Sequence, residues 1–119
     1  MFSGKALDNR IGCYVLLQLA KGLPPNVVLM GTAQEEVSTF GKGAHNAAFT
    51  LEPRAFIAVD TSIAGDHPEM SEDEALIKLN KGPALCLVEA GGRGNVAVCA
   101  LDDIDKTTNY LVKFVEAIA

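Results

Sequence analysis

The length and charge of this chain limit what it can be. It has 119 residues, 49% of them apolar, which is enough for one hydrophobic core and predicts one domain. Its formal net charge of −5, without any stretch rich in lysine and arginine, argues against binding to nucleic acid or to an anionic membrane surface.

The cysteines and apolar segments indicate an intracellular setting. Cys13, Cys86 and Cys99 are not closely paired in sequence and lie in apolar stretches, where buried free thiols are common. No segment reaches the length of a membrane-spanning helix, and residues 1–5 lack the apolar core of a signal peptide. We therefore expect a cytoplasmic protein.

The first half of the chain alternates between helix and strand patterns. Residues 10–21 carry apolar side chains at helical spacing, and Gly22 lies where a left-handed C-terminal cap belongs. Residues 27–32 and 55–59 are apolar runs typical of strands that are covered on both faces. Between them, the alanine-rich residues 43–49 predict a second helix.

The second half is predicted to end in a helix. Residues 65–74 are polar and predict a loop, followed by short strands at 75–79 and 83–88. Asp102 is predicted to cap a terminal helix, and acidic residues in its first turn suit the helix dipole. Its inner face is predicted to consist of Ile104, Leu111, Val115 and Ile118.

These elements together predict an α/β fold, with a mostly parallel sheet flanked by helices. Glu35 and Glu36 follow one predicted strand, Asp60 ends another, and Asp8 precedes the first helix. Because the carboxyl ends of parallel strands meet at one edge of a sheet, these acids can converge. Several converging carboxylates indicate a site for divalent metal ions, since the cations offset their mutual repulsion.

Five short motifs, in this order, resemble those of the dinuclear-metal aminopeptidases. They are residues 4–12 (GKALDNRIG), 32–37 (TAQEEV), 58–60 (AVD), 64–66 (AGD) and 81–84 (KGPA). This cytosolic family includes glutamyl, deblocking and tetrahedral aminopeptidases, and some of its members were once labelled endoglucanases. The resemblance covers nearly all of residues 4–88.

The resemblance implies a role for each acid. Asp8 would bridge two metal ions, zinc or cobalt, while Glu36 would bind one of them and Asp60 the other. Glu35 would be the general base. The implied reaction is hydrolysis of the amino-terminal residue from short peptides, and the family further implies a large homo-oligomer.

The chain departs from the family pattern in three ways. Asn9 stands where many relatives carry a second aspartate. The family completes its metal pair with two histidines, and His45 and His67 match neither position. Both are most simply ordinary surface or loop histidines, and of the two only His67, in the loop after Asp60, is a candidate for a replacement. Residues 1–119 thus resemble one partial catalytic domain, shortened upstream, lacking the inserted β-rich domain and shortened again before the terminal helix.

Simpler interpretations remain open at this point. Outside the family context, Glu35-Glu36 is typical of a helix start, Asp8 of an N-cap and Asp60 of a turn. The chain could also be an inactive remnant that serves as a structural or oligomerising domain, because three carboxylates without histidine make a poor dizinc site. A partner chain that supplies the missing ligands is a further alternative.

Overall fold

The computed structural model describes residues 2–37, 41–66, 68–71, 77–85, 97–99 and 101–118. Its elements, in chain order, are β1 (Phe2–Gly4), α1 (Leu7–Leu19), α2 (Lys42–Leu51), β2 (Ala97–Cys99) and α3 (Leu101–Ile118). They belong to two compact units: the first unit comprises Met1–Val27 and Asp60–Ala119, and the second comprises Val28–Val59. The assignment of the whole chain to one domain stays a prediction.

The core of the first unit lies where α1 packs against α3. Val15 and Leu19 are buried one helical turn apart on α1, and Ile104, Leu111 and Val115 are buried on α3. Burial of each such side chain contributes about 1.5–3 kcal/mol. The predicted inner face of the terminal helix is thus confirmed at three positions, whereas Ile118 in the last turn is 48% exposed.

The three predicted helices are confirmed, with adjusted boundaries. Helix α1 begins at Leu7, although Asp8 and Asn9 have non-helical backbone angles and are joined by a cis peptide bond. Its C-terminal cap was predicted wrongly, because Ala20 keeps a right-handed conformation and Gly22 has no positive φ. The helix ends instead in a tightened turn, in which the Gly22 N–H donates to the Leu19 carbonyl at 3.2 Å.

The mostly parallel sheet predicted for this α/β fold is not confirmed. Within the described residues the sheet is a single antiparallel pair, in which Phe2 lies opposite Cys99 and Gly4 opposite Ala97. Residues 27–32 and 55–59 form no strand, and their apolar side chains include Val28 and Phe56, which are 63% and 62% exposed. A buried parallel strand needs hydrogen-bonded neighbours and covering helices, and the described segments offer these runs neither.

Two further expectations also fail where they can be examined. Residues 77–79 and 83–85, taken from the predicted strands 75–79 and 83–88, are not in strands, and the rest of both segments lies outside the described residues. Cys13 is exposed, so its predicted burial is wrong, because it lies on the face of α1 opposite the core.

The described helices include none long and apolar enough to cross a membrane.

Asp103, in the first turn of α3, anchors the turn at residues 80–82. Asp102 is not the cap, since the helix already begins at Leu101; Asp103 lies in the first turn as predicted, whereas the second acid of that turn is Asp102 and not Asp105. The Asp103 carboxylate accepts the Asn80 N–H at 2.6 Å and the Gly82 N–H at 2.8 Å. Asn80 has a positive φ, which is uncommon for a residue other than glycine, and the carboxylate bond to its N–H helps to hold that conformation.

Replacement of Leu111 by alanine tests the α1–α3 core. We expect the free energy of unfolding to fall by about 2–4 kcal/mol, because the change removes buried methyl groups and leaves a cavity. The matched control is Leu17→Ala on α1, where the side chain is 67% exposed, and the expected loss is less than about 0.5 kcal/mol. Urea unfolding measures both, and equal losses would contradict this assignment of the core.

Replacement of Asp103 by alanine tests the anchored loop. We expect a loss of about 1–3 kcal/mol of stability, because two backbone N–H groups lose a charged acceptor. Amide hydrogen exchange at Asn80 and Gly82 should accelerate in the same variant. The control is Asp102→Ala, an exposed carboxylate in the same helical turn; if it accelerated exchange equally, loss of helix-dipole stabilisation would explain the effect instead.

Candidate metal site

Asp60 is hydrogen-bonded to the residue that follows Asp8, within the first unit. The Asn9 Nδ2 donates to Asp60 Oδ1 at 2.9 Å, although the two residues are 51 positions apart. The same Asp60 oxygen accepts the Thr61 backbone N–H at 2.8 Å. The structure therefore places Asn9, the neighbour of Asp8 in the chain, beside Asp60.

The start of α1 determines how Asn9 makes this contact. Its Oδ1 accepts the Gly12 backbone N–H at 2.7 Å, so the amide is tied to the first full helical turn. A Cβ atom at Gly12 would lie 2.3 Å from the Asn9 Oδ1, which is far closer than van der Waals contact allows. Glycine at position 12 is thus required for the observed position of the Asn9 side chain.

Glu35 and Glu36 lie on an exposed turn in the second unit, just before α2. The Gly43 N–H, in the first turn of α2, donates to the Ala33 carbonyl at 3.1 Å and so ties the turn to the helix. A Cβ atom at Gly43 would approach the Ala33 carbonyl oxygen to 2.5 Å. The close approach of helix and turn therefore depends on glycine at position 43.

The described residues do not assemble a complete metal site. No group of three or more histidine, cysteine, aspartate or glutamate side chains among them is placed to hold a metal ion. His45 is exposed on α2, and His67 lies outside the described residues. The carboxylates supply oxygen donors only, whereas zinc sites in proteins normally include nitrogen or sulfur ligands. The donor set in the described part of the chain does not by itself fit a dizinc centre.

A separate open cleft lies in the first unit between the 81–83 segment and α3. It has a volume of about 390 Å³ and is lined by Lys81, Gly82, Pro83, Lys106, Asn109, Tyr110 and Lys113. None of the acids predicted to bind metal lines it. This cleft therefore contains none of the predicted metal ligands.

The contact between Asn9 and Asp60 was not foreseen from the sequence. Position 9 was noted only as a departure from the family pattern, and nothing local pairs an asparagine with an acid 51 residues away. One local signal was available, because asparagine three residues before a glycine at a helix start suits a side-chain bond to that glycine N–H.

Comparison with known sequences identifies the family. Residues 1–114 match the sequence profile of the family described as M42 glutamyl aminopeptidase. This chain belongs to the M42 glutamyl aminopeptidase family. The resemblance inferred from the five motifs is thereby confirmed, and it extends past the motifs into α3. M42 membership also indicates a zinc-peptidase-like domain from a family of peptidases that are in general metal-dependent.

Several relatives are similar to part of the chain. It is 37% identical over 87 residues to "Putative aminopeptidase FrvX" of Escherichia coli K12, covering 72% of this chain and 24% of that protein. It is 42% identical over 84 residues to "Putative aminopeptidase" of Acetivibrio thermocellus, covering 68% and 24%. A "Glutamyl aminopeptidase" of Lactococcus lactis is 39% identical over 67 residues, covering 52% and 18%.

The alignments are short relative to these proteins. The chain spans about a quarter of the length of the first two relatives, 24% in each case. No solved structure matches the chain significantly.

Replacement of Gly43 by alanine tests how the Glu35-Glu36 turn is held. Alanine favours a helix over glycine by about 1 kcal/mol, but contacts of 2.5 and 2.7 Å to the Ala33 backbone must be relieved. We expect large amide chemical-shift changes at residues 33–36 in an NMR spectrum. Gly31→Ala is the control, because nothing lies within 4 Å of the added methyl group. Unchanged shifts in Gly43→Ala would contradict the described contact.

Proposed function

We propose that this chain is part of a metal-dependent aminopeptidase that hydrolyses the amino-terminal residue from short peptides. The observation that carries the proposal is the family match over residues 1–114. The names of the relatives support it, since each is named an aminopeptidase or a putative aminopeptidase. The chain covers only a part of each of those proteins, so the proposal concerns the protein to which residues 1–119 belong as one partial catalytic domain.

We propose Asp8, Glu36 and Asp60 as metal ligands. A carboxylate has two oxygens, so Asp8 would be the acid able to hold both ions of a dinuclear pair, while Glu36 would hold one ion and Asp60 the other. The hydrogen bond from Asn9 to Asp60 supports the pairing of Asp8 with Asp60, because it brings their segments together within the first unit. Two ions, zinc or cobalt, need further ligands, for which His67 or a partner chain is proposed.

We propose Glu35 as the residue that moves the proton. A carboxylate within hydrogen-bond reach of the attacking water takes its proton and later delivers it to the leaving amine. Glu35 is exposed at the turn before α2, so a peptide and its water have access to it. Its neighbour Glu36 follows directly on the same turn, which allows one carboxylate to bind metal while the other serves as base.

A cytoplasmic homo-oligomer is proposed for the same protein. Both units expose large apolar side chains, among them Phe49 at 81% and Leu85 at 77%. Apolar surface of this kind favours association, which removes it from water. The same observation favours a second candidate function, an inactive structural or oligomerising domain, because association requires no metal site.

Replacement of Glu35 by glutamine separates the two candidates. The assay measures release of the amino-terminal residue from short peptides, by mass spectrometry, with zinc or cobalt added. If Glu35 moves the proton, Glu35→Gln should lower kcat by about 10²–10⁴-fold, because glutamine cannot accept a proton.

The control is Glu52→Gln, an exposed glutamate that follows α2 in the same unit. It should leave the rate unchanged, since the proposal gives Glu52 no role in the reaction. Absence of hydrolysis in the original chain at every metal concentration would contradict the enzyme and support the structural domain.

A further inference from the structure

The cleft between residues 81–83 and α3 collects positive charge. Three of its seven lining residues are lysines, namely Lys81, Lys106 and Lys113, and none of the described acids lines it. The chain has only 10 lysines and arginines against 15 acidic residues. Three of its ten cations thus line one cleft of a protein whose formal net charge is −5. We propose that this cleft binds a small organic molecule that carries a phosphate group.

Helix α3 places four of the lining side chains on one face. They are spaced three or four residues apart, so that each lies beside the next on the helix surface: Lys106, Asn109, Tyr110 and Lys113. The buried residues Ile104, Leu111 and Val115 lie on the opposite face of the same helix. The cleft face is therefore separate from the face that packs against α1.

Asp103 holds the other wall of the cleft in place. Its carboxylate, whose side chain is 19% exposed, accepts the N–H groups of Asn80 and Gly82 on either side of Lys81. A Cβ atom at Gly82 would lie 3.7 Å from the Lys106 Cδ, so the stem of Lys106 lies against this turn. One carboxylate of α3 thus fixes the turn that brings Lys81 beside Lys106.

The lysines retain charge that a ligand can use. Lys106 is paired with Asp103, but at 3.8 Å and with a side chain that is 50% exposed. Within the described part of the chain, Lys81 and Lys113 form no ion pair. Like charges that share a site repel one another, and a bound anion would offset this repulsion.

The type of cation favours a phosphate group. A phosphate monoester carries a charge of about −1.5 to −2 at pH 7 and has three acceptor oxygens. Lysine binds phosphate as a point charge, whereas the planar fork of arginine is better matched to a carboxylate. The described lining contains three lysines and no arginine, and the Asn109 amide provides a further N–H donor.

The size and walls of the cleft favour an organic molecule over free phosphate. Its volume of about 390 Å³ lies within the range of about 300–1,000 Å³ that is usual for small-molecule sites. Pro83 and Tyr110 supply apolar surface, and the Tyr110 side chain is 51% exposed. An aromatic ring on the ligand can pack against that of Tyr110, a contact that inorganic phosphate cannot make.

The test is a titration of the ¹⁵N-labelled chain with phenyl phosphate, followed by NMR in a chelating buffer without added metal. We expect saturable shifts in the backbone amide signals of the cleft, which are those of Lys81, Gly82, Lys106, Asn109, Tyr110 and Lys113. Benzylamine, which has the same ring and a positive charge, should shift none of them. Shifts that do not saturate, or that benzylamine produces equally, would overturn the proposal. Tighter binding of phthalate, a dicarboxylate on the same ring, would overturn the assignment to phosphate.

Replacement of the exposed lysines by glutamine locates the site. We expect Lys81→Gln and Lys113→Gln each to raise the Kd for phenyl phosphate by about 2–10-fold, because each removes a charged hydrogen-bond donor. The matched control is Lys21→Gln, an exposed lysine of the same unit outside the cleft, which changes the net charge equally. It should leave the Kd unchanged. Equal weakening in all three variants would show a general attraction to the charge of the protein and would contradict a site in this cleft.

Replacement of Tyr110 by alanine tests recognition of the organic part. We expect the Kd for phenyl phosphate to rise by about 2–10-fold, since the ring contact is lost, while the weaker Kd for inorganic phosphate stays the same. Circular dichroism checks that the variant retains its helices. An unchanged Kd for phenyl phosphate, or equal weakening for both ligands, would overturn the role given to Tyr110.

This inference is independent of the proposed function, since its test contains neither metal nor peptide. A chain that cleaves peptides but does not bind phenyl phosphate would lose the inference alone. A chain that binds phenyl phosphate in the cleft without any peptidase activity would retain it.

Discussion

The packing of α1 against α3 is the interaction on which the first unit depends. It buries Val15 and Leu19 against Ile104, Leu111 and Val115, and these are the buried apolar residues of the described chain. Each helix also positions a polar contact at its start. Asn9 at the start of α1 contacts Asp60, and Asp103 in the first turn of α3 accepts two loop N–H groups. The two helices that form the core therefore also carry the contacts of Asp60 and Asp103.

Two glycines have comparable roles in the two units. Gly12 allows the Asn9 amide to approach the backbone of α1, and Gly43 allows the Ala33 carbonyl to approach the backbone of α2. In both cases an added methyl group would lie within 2.5 Å of an oxygen atom. Each glycine also lies next to a segment with proposed site residues, Asp8 in one unit and Glu35-Glu36 in the other. These two segments are thus held by close contacts at a glycine backbone rather than by a large buried core.

The helices were predictable from the sequence, whereas the sheet and the Asn9 contact were not. Helix periodicity is local, so the spacing of Val15, Leu19, Leu111 and Val115 was sufficient to place α1 and α3. A strand requires a partner elsewhere in the chain, and residues 27–32 and 55–59 have the composition of buried strands without such partners in the described structure. The bond between Asn9 and Asp60 is likewise nonlocal. The family, in contrast, was evident from five ordered motifs and is confirmed over residues 1–114.

The central proposal is that Asp8, Glu36 and Asp60 bind metal in the protein to which this chain belongs. The most direct test is the number of zinc or cobalt ions bound per chain, measured by equilibrium dialysis and elemental analysis for the original protein and for Asp8→Ala. The account predicts close to two ions for the original chain and a loss of binding in Asp8→Ala, since Asp8 would contact both. No bound metal, or equal binding in both proteins, would contradict it.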